Sequence, residues 1–311
     1  MTQPVPKTLL EFQEDFATEE QCEDYLASWR WPKGFECPKC SVRGAWRLKR
    51  RRLFQCKGCR RQVSVTAGTA MHRSKLPLRV WFWAIFLVAR HKKSISALQL
   101  QADLGLGSYE TAWLLLHKIR SCFDESDDYP LRGVVEVDET LVATLPKGTY
   151  PGRGAAGRRF VVGAVEVRAG RLGDARMQVV KDVKATTLAP FVEKHIDKRR
   201  SIIRTDGWQA YDRLERDGWN RERLVSKGPQ GAKFKPVIPG ISLIFGNLKT
   251  WLRGQFHGVS DKYLPSYVAE FTYRYNRRRD PPELFGWVMR RLTQRPPQTL
   301  KSIRWAVEPS G

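Results

Sequence analysis

Four cysteines occur as two CxxC pairs, Cys37–Cys40 and Cys56–Cys59, with fifteen residues between the pairs. A CxxC turn can present two thiolates to one ion, and two such turns complete the tetrahedral set of sulfurs of a structural zinc site. A redox-active CxxC is the alternative, but two copies that bracket strand-like segments are more typical of a zinc ribbon. The sequence therefore predicts one structural Zn2+ per chain, bound by Cys37, Cys40, Cys56 and Cys59.

The segment between and around these cysteines is strongly basic. From Ser41 to Arg61 there are nine Lys or Arg residues and no acidic residue. Such a charge run is usually a solvated face, but on a domain this small we expect it to contact DNA phosphates. The residues predicted here to bind nucleic acid are Arg47, Lys49, Arg50, Arg51 and Arg52.

Carboxylates at the ends of apolar, strand-like runs form a second group of candidate residues. Asp138 ends one such run, with Glu136 on the same predicted strand face and Glu139 directly after it. Asp206 ends the run SIIRTD. An aspartate at a strand end commonly caps a turn, but two of them in a basic chain with a zinc ribbon could share divalent cations. We therefore expect Asp138 and Asp206 to bind a catalytic Mg2+ or Mn2+.

The charge balance indicates the class of partner. The 311 residues include 55 Lys or Arg and 32 Asp or Glu, a formal net charge of +23. Because cations that neutralise phosphates release condensed counterions, this excess favours binding to nucleic acid over a merely soluble basic enzyme. No apolar run is long enough to span a membrane, and the first residues do not resemble a secretory signal. We expect a cytoplasmic protein whose cysteines bind metal rather than form disulfides.

The elements that must position these residues change character along the chain. We predict N-terminal helices over 1–32, a zinc ribbon over 33–72 and a helix-turn-helix region over 73–130. Strands alternating with helices over 131–290 indicate an α/β catalytic domain, followed by a C-terminal tail over 291–311.

At this point the motifs resemble those of the IS1595 family of transposases, whose catalytic part is the ISXO2-like domain. The resemblance covers nearly the whole chain, and its most specific blocks are VVEVDET, IIRTDGWQAY and FGNLKTWLRGQFHGVSDKYLPSYVAEFTYRYNRR. It implies an RNase H-like fold, preceded by the zinc ribbon and the helix-turn-helix. It also implies a DDE-type, Mg2+-dependent reaction on DNA ends.

The third member of the catalytic set depends on this resemblance. No Asp or Glu occurs between Glu222 and Asp261, and the position where many relatives carry Glu, seven residues before Lys249, holds Ser242. Another branch uses Asn in an SNLK-like sequence, which matches Asn247 here. The resemblance therefore implies catalytic roles for Asp138, Asp206, Asn247, Lys249 and His257.

Each of the late residues has a plainer interpretation. Asn247 could be a surface amide of a decayed element, and His257 could be a packing residue. The Gly-rich basic segment 146–159 could be a disordered connection, although we predict that Arg153, Arg158 and Arg159 bind DNA phosphates.

Together these features predict a DNA transposase that binds terminal inverted repeats, cleaves at the element ends and joins them to target DNA. We expect it to act on double-stranded DNA as a homodimer or higher oligomer. The alternative is a zinc-ribbon DNA-binding protein without catalysis, but such a protein has no use for two strand-end aspartates. A ribosome-associated basic protein would not explain the long α/β region.

Overall fold

The computed structural model describes residues 4–91, 93–123, 129–144, 157–224, 238–279 and 283–304. The chain divides into two compact units. The first unit consists of Met1–Cys122 and Asp280–Gly311, and the second is Phe123–Arg279. The boundaries predicted from the sequence for five smaller regions remain predictions.

The described helices and strands follow one another along the chain. The helices are α1 (Leu9–Asp15), α2 (Glu19–Arg30), α3 (Leu78–Arg90), α4 (Ala97–Leu104), α5 (Tyr109–Arg120), α6 (Ala185–His195), α7 (Asp212–Arg216), α8 (Pro239–Phe256), α9 (Leu264–Asn276), α10 (Glu283–Gln294) and α11 (Leu300–Arg304). The strands are β1 (Ala45–Leu48), β2 (Leu53–Cys56), β3 (Gln62–Val63), β4 (Leu131–Thr144), β5 (Gly157–Arg168), β6 (Arg171–Val180), β7 (Ile196–Thr205) and β8 (Arg221–Arg223).

An aromatic core organises the helices of the first unit. Phe12 and Phe16 pack against Phe82 of α3 and Phe285 of α10, with ring centroids 4.8–6.1 Å apart in the Phe16–Phe82, Phe16–Phe285, Phe12–Phe285 and Phe82–Phe285 pairs. Helix α2 begins with a capping box, in which Thr18 and Gln21 satisfy each other's backbone N–H groups. The aromatic rings therefore join α10, from the end of the chain, to helices from its beginning.

The zinc-ribbon region forms a small antiparallel sheet in the order β1-β2-β3. Beyond it, α4 and α5 are joined by a short turn, and the side chains of Ser96 and Ser108 cap their first turns. Two helices with a short connection are what the sequence predicted for this region. A DNA-binding helix-turn-helix at this position remains a prediction.

The second unit is built on one mixed five-stranded sheet in the order β6-β5-β4-β7-β8. The central strand, β4, pairs antiparallel with β5 and parallel with β7. One core covers one face of the sheet, with Val135 and Val137 packed among side chains of α6. Another core covers the other face, with Val161 and Val165 packed among side chains of α8 and α9. The predicted α/β class is confirmed, and β4 lies between the two cores.

No helix among the described residues is both long enough and apolar enough to cross a membrane.

Candidate metal centre and nucleic-acid interface

The four cysteines of the two CxxC pairs converge. The Sγ atoms of Cys37 and Cys59 lie 3.6 Å apart, as do those of Cys40 and Cys56. Zinc bound tetrahedrally with Zn–S bonds of about 2.3 Å requires sulfur separations of roughly 3.8 Å. All four ligand atoms lie within 4.8 Å of one another, so this group could hold a zinc ion.

The backbone around these thiols favours their ionised form. Lys39 N–H donates to Cys37 Sγ at 3.4 Å, and Gly58 N–H donates to Cys56 Sγ at 3.3 Å. Burial opposes ionisation of Cys37, but N–H groups of the knuckle and the neighbouring thiols together lower its pKa to about 6. Thiolate is the form of cysteine that binds metal, so these contacts in the two CxxC turns favour binding of a cation.

The basic face predicted to bind DNA is partly occupied by acidic residues of α2. Arg47 forms ion pairs with Glu23 and Asp24, and Arg52 with Glu19 and Glu23. Lys49 lies 3.5 Å from an acid of the same helix, Glu20. Arg50 and Arg51 are exposed in the 3-10 turn between β1 and β2 and, unlike Lys49 and Arg52, form no ion pair among the described residues.

Asp138 lies within β4, which continues to Thr144, so the prediction that Asp138 ends its strand was wrong. Its partner across the ladder is Gly163 of β5. A Cβ atom at Gly163 would lie 2.8 Å from the ring of Phe245 and 2.9 Å from Ile241, so α8 can pack closely over the sheet beside Asp138. Burial, with contributions from Glu139 and Asp206, raises the pKa of Asp138 to about 7. This carboxylate is therefore in a site that disfavours a lone negative charge.

Glu136, two residues earlier on the same face, has a structural contact. Its side chain accepts a hydrogen bond from Ile241 N–H at 2.9 Å and is buried. The acceptor lies at the first turn of α8, where helix N–H groups lack partners within the helix. A Cβ atom at Gly240 would lie 2.6 Å from the same carboxylate oxygen, so this close approach requires glycine. Glu136 thus holds the start of α8 against β4.

Asp206 follows the last residue of β7. The parallel register pairs Val135 with Ile203 and Glu136 with Arg204, which precede Asp138 and Asp206 by two residues each. The charge of Asp206 contributes to the raised pKa of Asp138, so the two carboxylates are near each other. Oδ1 of Asp206 accepts a hydrogen bond from Trp208 N–H at 2.9 Å, which fixes the side chain in a turn. Of the two aspartates predicted from the sequence, Asp138 therefore lies on β4 and Asp206 lies directly after the adjacent strand β7.

Glu139 follows Asp138 directly, and its side chain points to the opposite face of the sheet, where Tyr211 packs. Tyr211 donates its hydroxyl proton to Glu139 Oε2 at 2.6 Å. Burial and the charge of Asp206 both raise the pKa of Glu139, although the Tyr211 bond opposes them. Among the described residues, the four cysteines are a group whose ligand atoms all lie within 4.8 Å of one another. The carboxylate oxygens of Asp138, Glu139 and Asp206 do not form such a group.

Helix α8 carries the remaining predicted residues on different flanks. Its buried side chains include Ile241, Phe245 and Leu248. Ser242 and Lys249, seven residues apart, share one flank, because seven residues complete almost two turns. Asn247 is exposed and is rotated about 160° from Lys249 around the helix axis. The structure therefore does not bring Asn247 and Lys249 to the same side of α8.

A groove lies between the end of β4 and the second half of α8. Its volume is about 320 Å³. Lys249, Arg253 and His257 line one side, and the segment 141–144 of β4 forms much of the other. His257 ends α8 in the left-handed conformation, with φ of 54°. Since the lining contains cationic side chains and no carboxylate, the groove is suited to a polyanion.

The basic residues after β4 have different environments. Arg158 is exposed on β5, whereas Arg159 forms an ion pair with Asp261 at 3.0 Å. Asp261 also accepts a hydrogen bond from Thr144, so it ties the end of β4 to the start of β5. Arg153 lies outside the described residues, as does most of the predicted DNA-binding segment.

Comparisons with known proteins identify two matching domains. Residues 130–276 match the family model of the ISXO2-like transposase domain, and residues 17–62 match that of the transposase zinc-ribbon domain. A curated relative from Halobacterium salinarum, described as an uncharacterized protein in transposable element ISH50, is 28% identical over 284 residues. The alignment covers 86% of this chain and 94% of the relative. The chain therefore matches both the catalytic-domain model and the zinc-ribbon model of the IS1595 transposases.

Proposed function

We propose that the chain catalyses metal-dependent cleavage at the ends of a mobile element and joins those ends to target DNA. The observation that carries this proposal is the pair of aspartates, with Asp138 on β4 and Asp206 directly after the adjacent strand β7, near enough for the charge of Asp206 to act on Asp138. Burial of Asp138 near two other carboxylates raises its pKa to about 7. A DNA-binding protein without catalysis gains nothing from this costly arrangement.

The carboxylates suit a divalent cation. Oxygen ligands are those that Mg2+ and Mn2+ prefer, and a cation would relieve the mutual repulsion of Asp138, Glu139 and Asp206. When bound, such ions stabilise the charge of the scissile phosphate and favour deprotonation of the attacking hydroxyl. The chain's own contribution is to fix Asp138 by its strand and Asp206 by the turn after β7.

We assign the groove along α8 to the backbone of a DNA strand. Lys249 and His257 are eight residues apart, about 12 Å along a helix, a length over which one DNA strand carries more than one phosphate. Leu141 lines the groove only three residues after Asp138, so a strand lying there would pass close to the carboxylates. Lys249 and His257 would then bind substrate together with Arg253.

For the remaining parts, we propose a structural zinc in the ribbon and contacts of the ribbon and the α4–α5 region with terminal inverted repeats. In the ribbon, Arg50 and Arg51 are the exposed candidates for phosphate contacts. The RNase H-like assignment of the catalytic unit is supported by the mixed sheet with β4 at its centre. We also propose cytoplasmic action on double-stranded DNA as a dimer or higher oligomer.

Asn247 remains the predicted third metal ligand, with a neutral amide oxygen in place of a carboxylate. Asn247 is exposed and lies on a different flank of α8 from Lys249. Ser242 shares the flank of Lys249, so it is the alternative residue to test. A pair of variants at these two positions separates their contributions.

The full-length chain should cut a DNA duplex that carries an element end when Mg2+ is present, and chelation should stop the reaction. D138A and D206A should bind the same duplex with unchanged affinity and leave it intact. D174A, which alters an acid on β6 away from the pair, is the matched control and should cut normally. If D138A and D206A cut like the wild type, the chain is a binding protein or uses another site.

A further inference from the structure

Arg221, on the edge strand β8, has a buried side chain that donates four hydrogen bonds. Its side chain is 0% exposed, whereas the side chains of its two acidic partners, Asp212 and Glu215, are 42% and 53% exposed. Both acids belong to α7 and accept from Nη1, at 2.8 Å and 3.1 Å respectively. Burial of a guanidinium is costly unless its donors are satisfied, so these contacts hold it in one orientation.

The other donors of Arg221 reach the turn that carries Asp206. Nε donates to Thr205 Oγ1 at 2.8 Å, and Nη2 donates to the backbone carbonyl of Asp206 at 3.1 Å. Thr205 Oγ1 itself donates to the same carbonyl at 2.9 Å. Because Asp206 lies beyond the last residue of β7, the ladder between strands does not fix its backbone. The guanidinium therefore supplies contacts that the sheet no longer provides.

The same group of residues extends to the neighbourhood of Asp138. The Arg221 guanidinium lies 5.9 Å from the ring centre of Tyr211, whose hydroxyl donates to Glu139. Glu139 is the residue that follows Asp138 on β4. Contacts of Arg221 and Tyr211 thus connect the Asp206 turn, α7 and the central strand.

We propose that Arg221 is a positioning residue that sets the place of the Asp206 carboxylate relative to Asp138. This inference rests on the proposed metal-dependent function of the two aspartates. Lysine cannot replace the guanidinium here, because a single ammonium cannot reach Thr205, Asp206 and the α7 acids together. A change at Arg221 should therefore alter metal binding and rate without removing any ligand.

The experiment compares R221K with R204K in the full-length protein. Arg204 is an arginine of the neighbouring strand that pairs with Glu222 at 2.7 Å on the partly exposed surface, so its replacement is the matched control. Three quantities are measured: Mn2+ affinity by calorimetry, the rate of strand transfer at saturating Mg2+, and DNA affinity. Thermal unfolding and circular dichroism report whether each variant is folded.

In R221K we expect Mn2+ affinity to fall about tenfold and the saturated rate to fall about a hundredfold, the loss typical of a misplacement of about 1 Å. DNA affinity should stay unchanged, and R204K should resemble the wild type in all three measurements. A purely structural role would lower the unfolding temperature of R221K but leave its metal affinity and rate intact, and that result would overturn the proposal.

If R221K does not fold, T205V decides the question. This variant removes the hydroxyl that links Arg221 Nε to the Asp206 carbonyl and keeps a side chain of similar shape. A folded T205V with reduced Mn2+ affinity supports the positioning role, whereas one with unchanged affinity and rate refutes it. Activity retained by D138A or D206A would instead refute the proposed function itself, so the two failures are distinguishable.

Discussion

The raised pKa of Asp138 leads to a prediction about stability in the absence of metal. In the folded protein, burial and nearby carboxylates raise this pKa from 3.8 to about 7. Well below pH 3.8 the group is neutral in both the folded and unfolded states, so it has no effect on stability. As the pH rises from 4 to 7 the unfolded state ionises first, and the free energy of unfolding decreases. Above pH 7 the destabilisation is complete.

The size of the effect follows from the shift. Three pKa units correspond to about 4 kcal/mol in a rigid site, and local relaxation reduces this to about 2 kcal/mol. D138N removes the charge but keeps the shape. It should therefore stabilise the second unit by about 2 kcal/mol at pH 8, which raises its unfolding temperature by about 4–8 °C. At pH 4 the variant and the wild type should unfold at nearly the same temperature.

Differential scanning calorimetry in a chelating buffer at pH 4 and pH 8 measures both values. Added Mg2+ at tenfold its dissociation constant should then stabilise the wild type by about 1.4 kcal/mol and D138N by much less. The difference in the free energy of unfolding between the two proteins should therefore decrease. Destabilisation of D138N at pH 8, or an equal effect of Mg2+ on both proteins, would refute the assignment of Asp138 to a charged metal site.

Three further predictions concern other parts of the molecule. Purified protein should contain one zinc per chain, and C40S should lose it and unfold the ribbon while the second unit stays folded; full zinc content in C40S would exclude this site. R253A should reduce the salt slope of DNA binding by about 0.9, one phosphate contact, whereas R200A, which changes an exposed arginine in the middle of β7, should not; equal slopes would show that the groove is merely solvated. N247A should abolish strand transfer with DNA binding intact if its amide is the third ligand, and full activity in N247A with loss in S242A would transfer that role.

The residues with a strong spacing signal could be predicted from the sequence. Two CxxC pairs define a zinc site because both turns and ligands are local, and the thiols do converge. Asp138 and Asp206 were recognisable because an acidic residue is unexpected directly after an apolar run, although β4 continues past Asp138 to Thr144. The α/β alternation then sufficed to place β4 and β7 in one sheet.

Contacts made at long range had no such signal. Arg221 is one arginine among many in the sequence, and only the fold shows that its side chain is buried against the Asp206 turn. The sequence predicted that the basic run around Arg47 and Arg52 is available to bind DNA. In the structure, acidic residues of α2, more than twenty residues earlier, form ion pairs with part of it. Likewise, the apolar face of α10 predicts burial without naming its partners, and these belong to the first unit.

Replacement of Asp138 by cysteine tests the central claim most directly, namely that this carboxylate binds the catalytic metal. Thiolate is a poor ligand for the hard ion Mg2+ and a better one for Mn2+. Strand transfer on pre-cleaved element ends is measured for the wild type and for D138C in each metal. We predict that the wild type is active in both metals, while D138C is inactive in Mg2+ and regains activity in Mn2+. Equal activity of D138C and the wild type in Mg2+ would contradict the account.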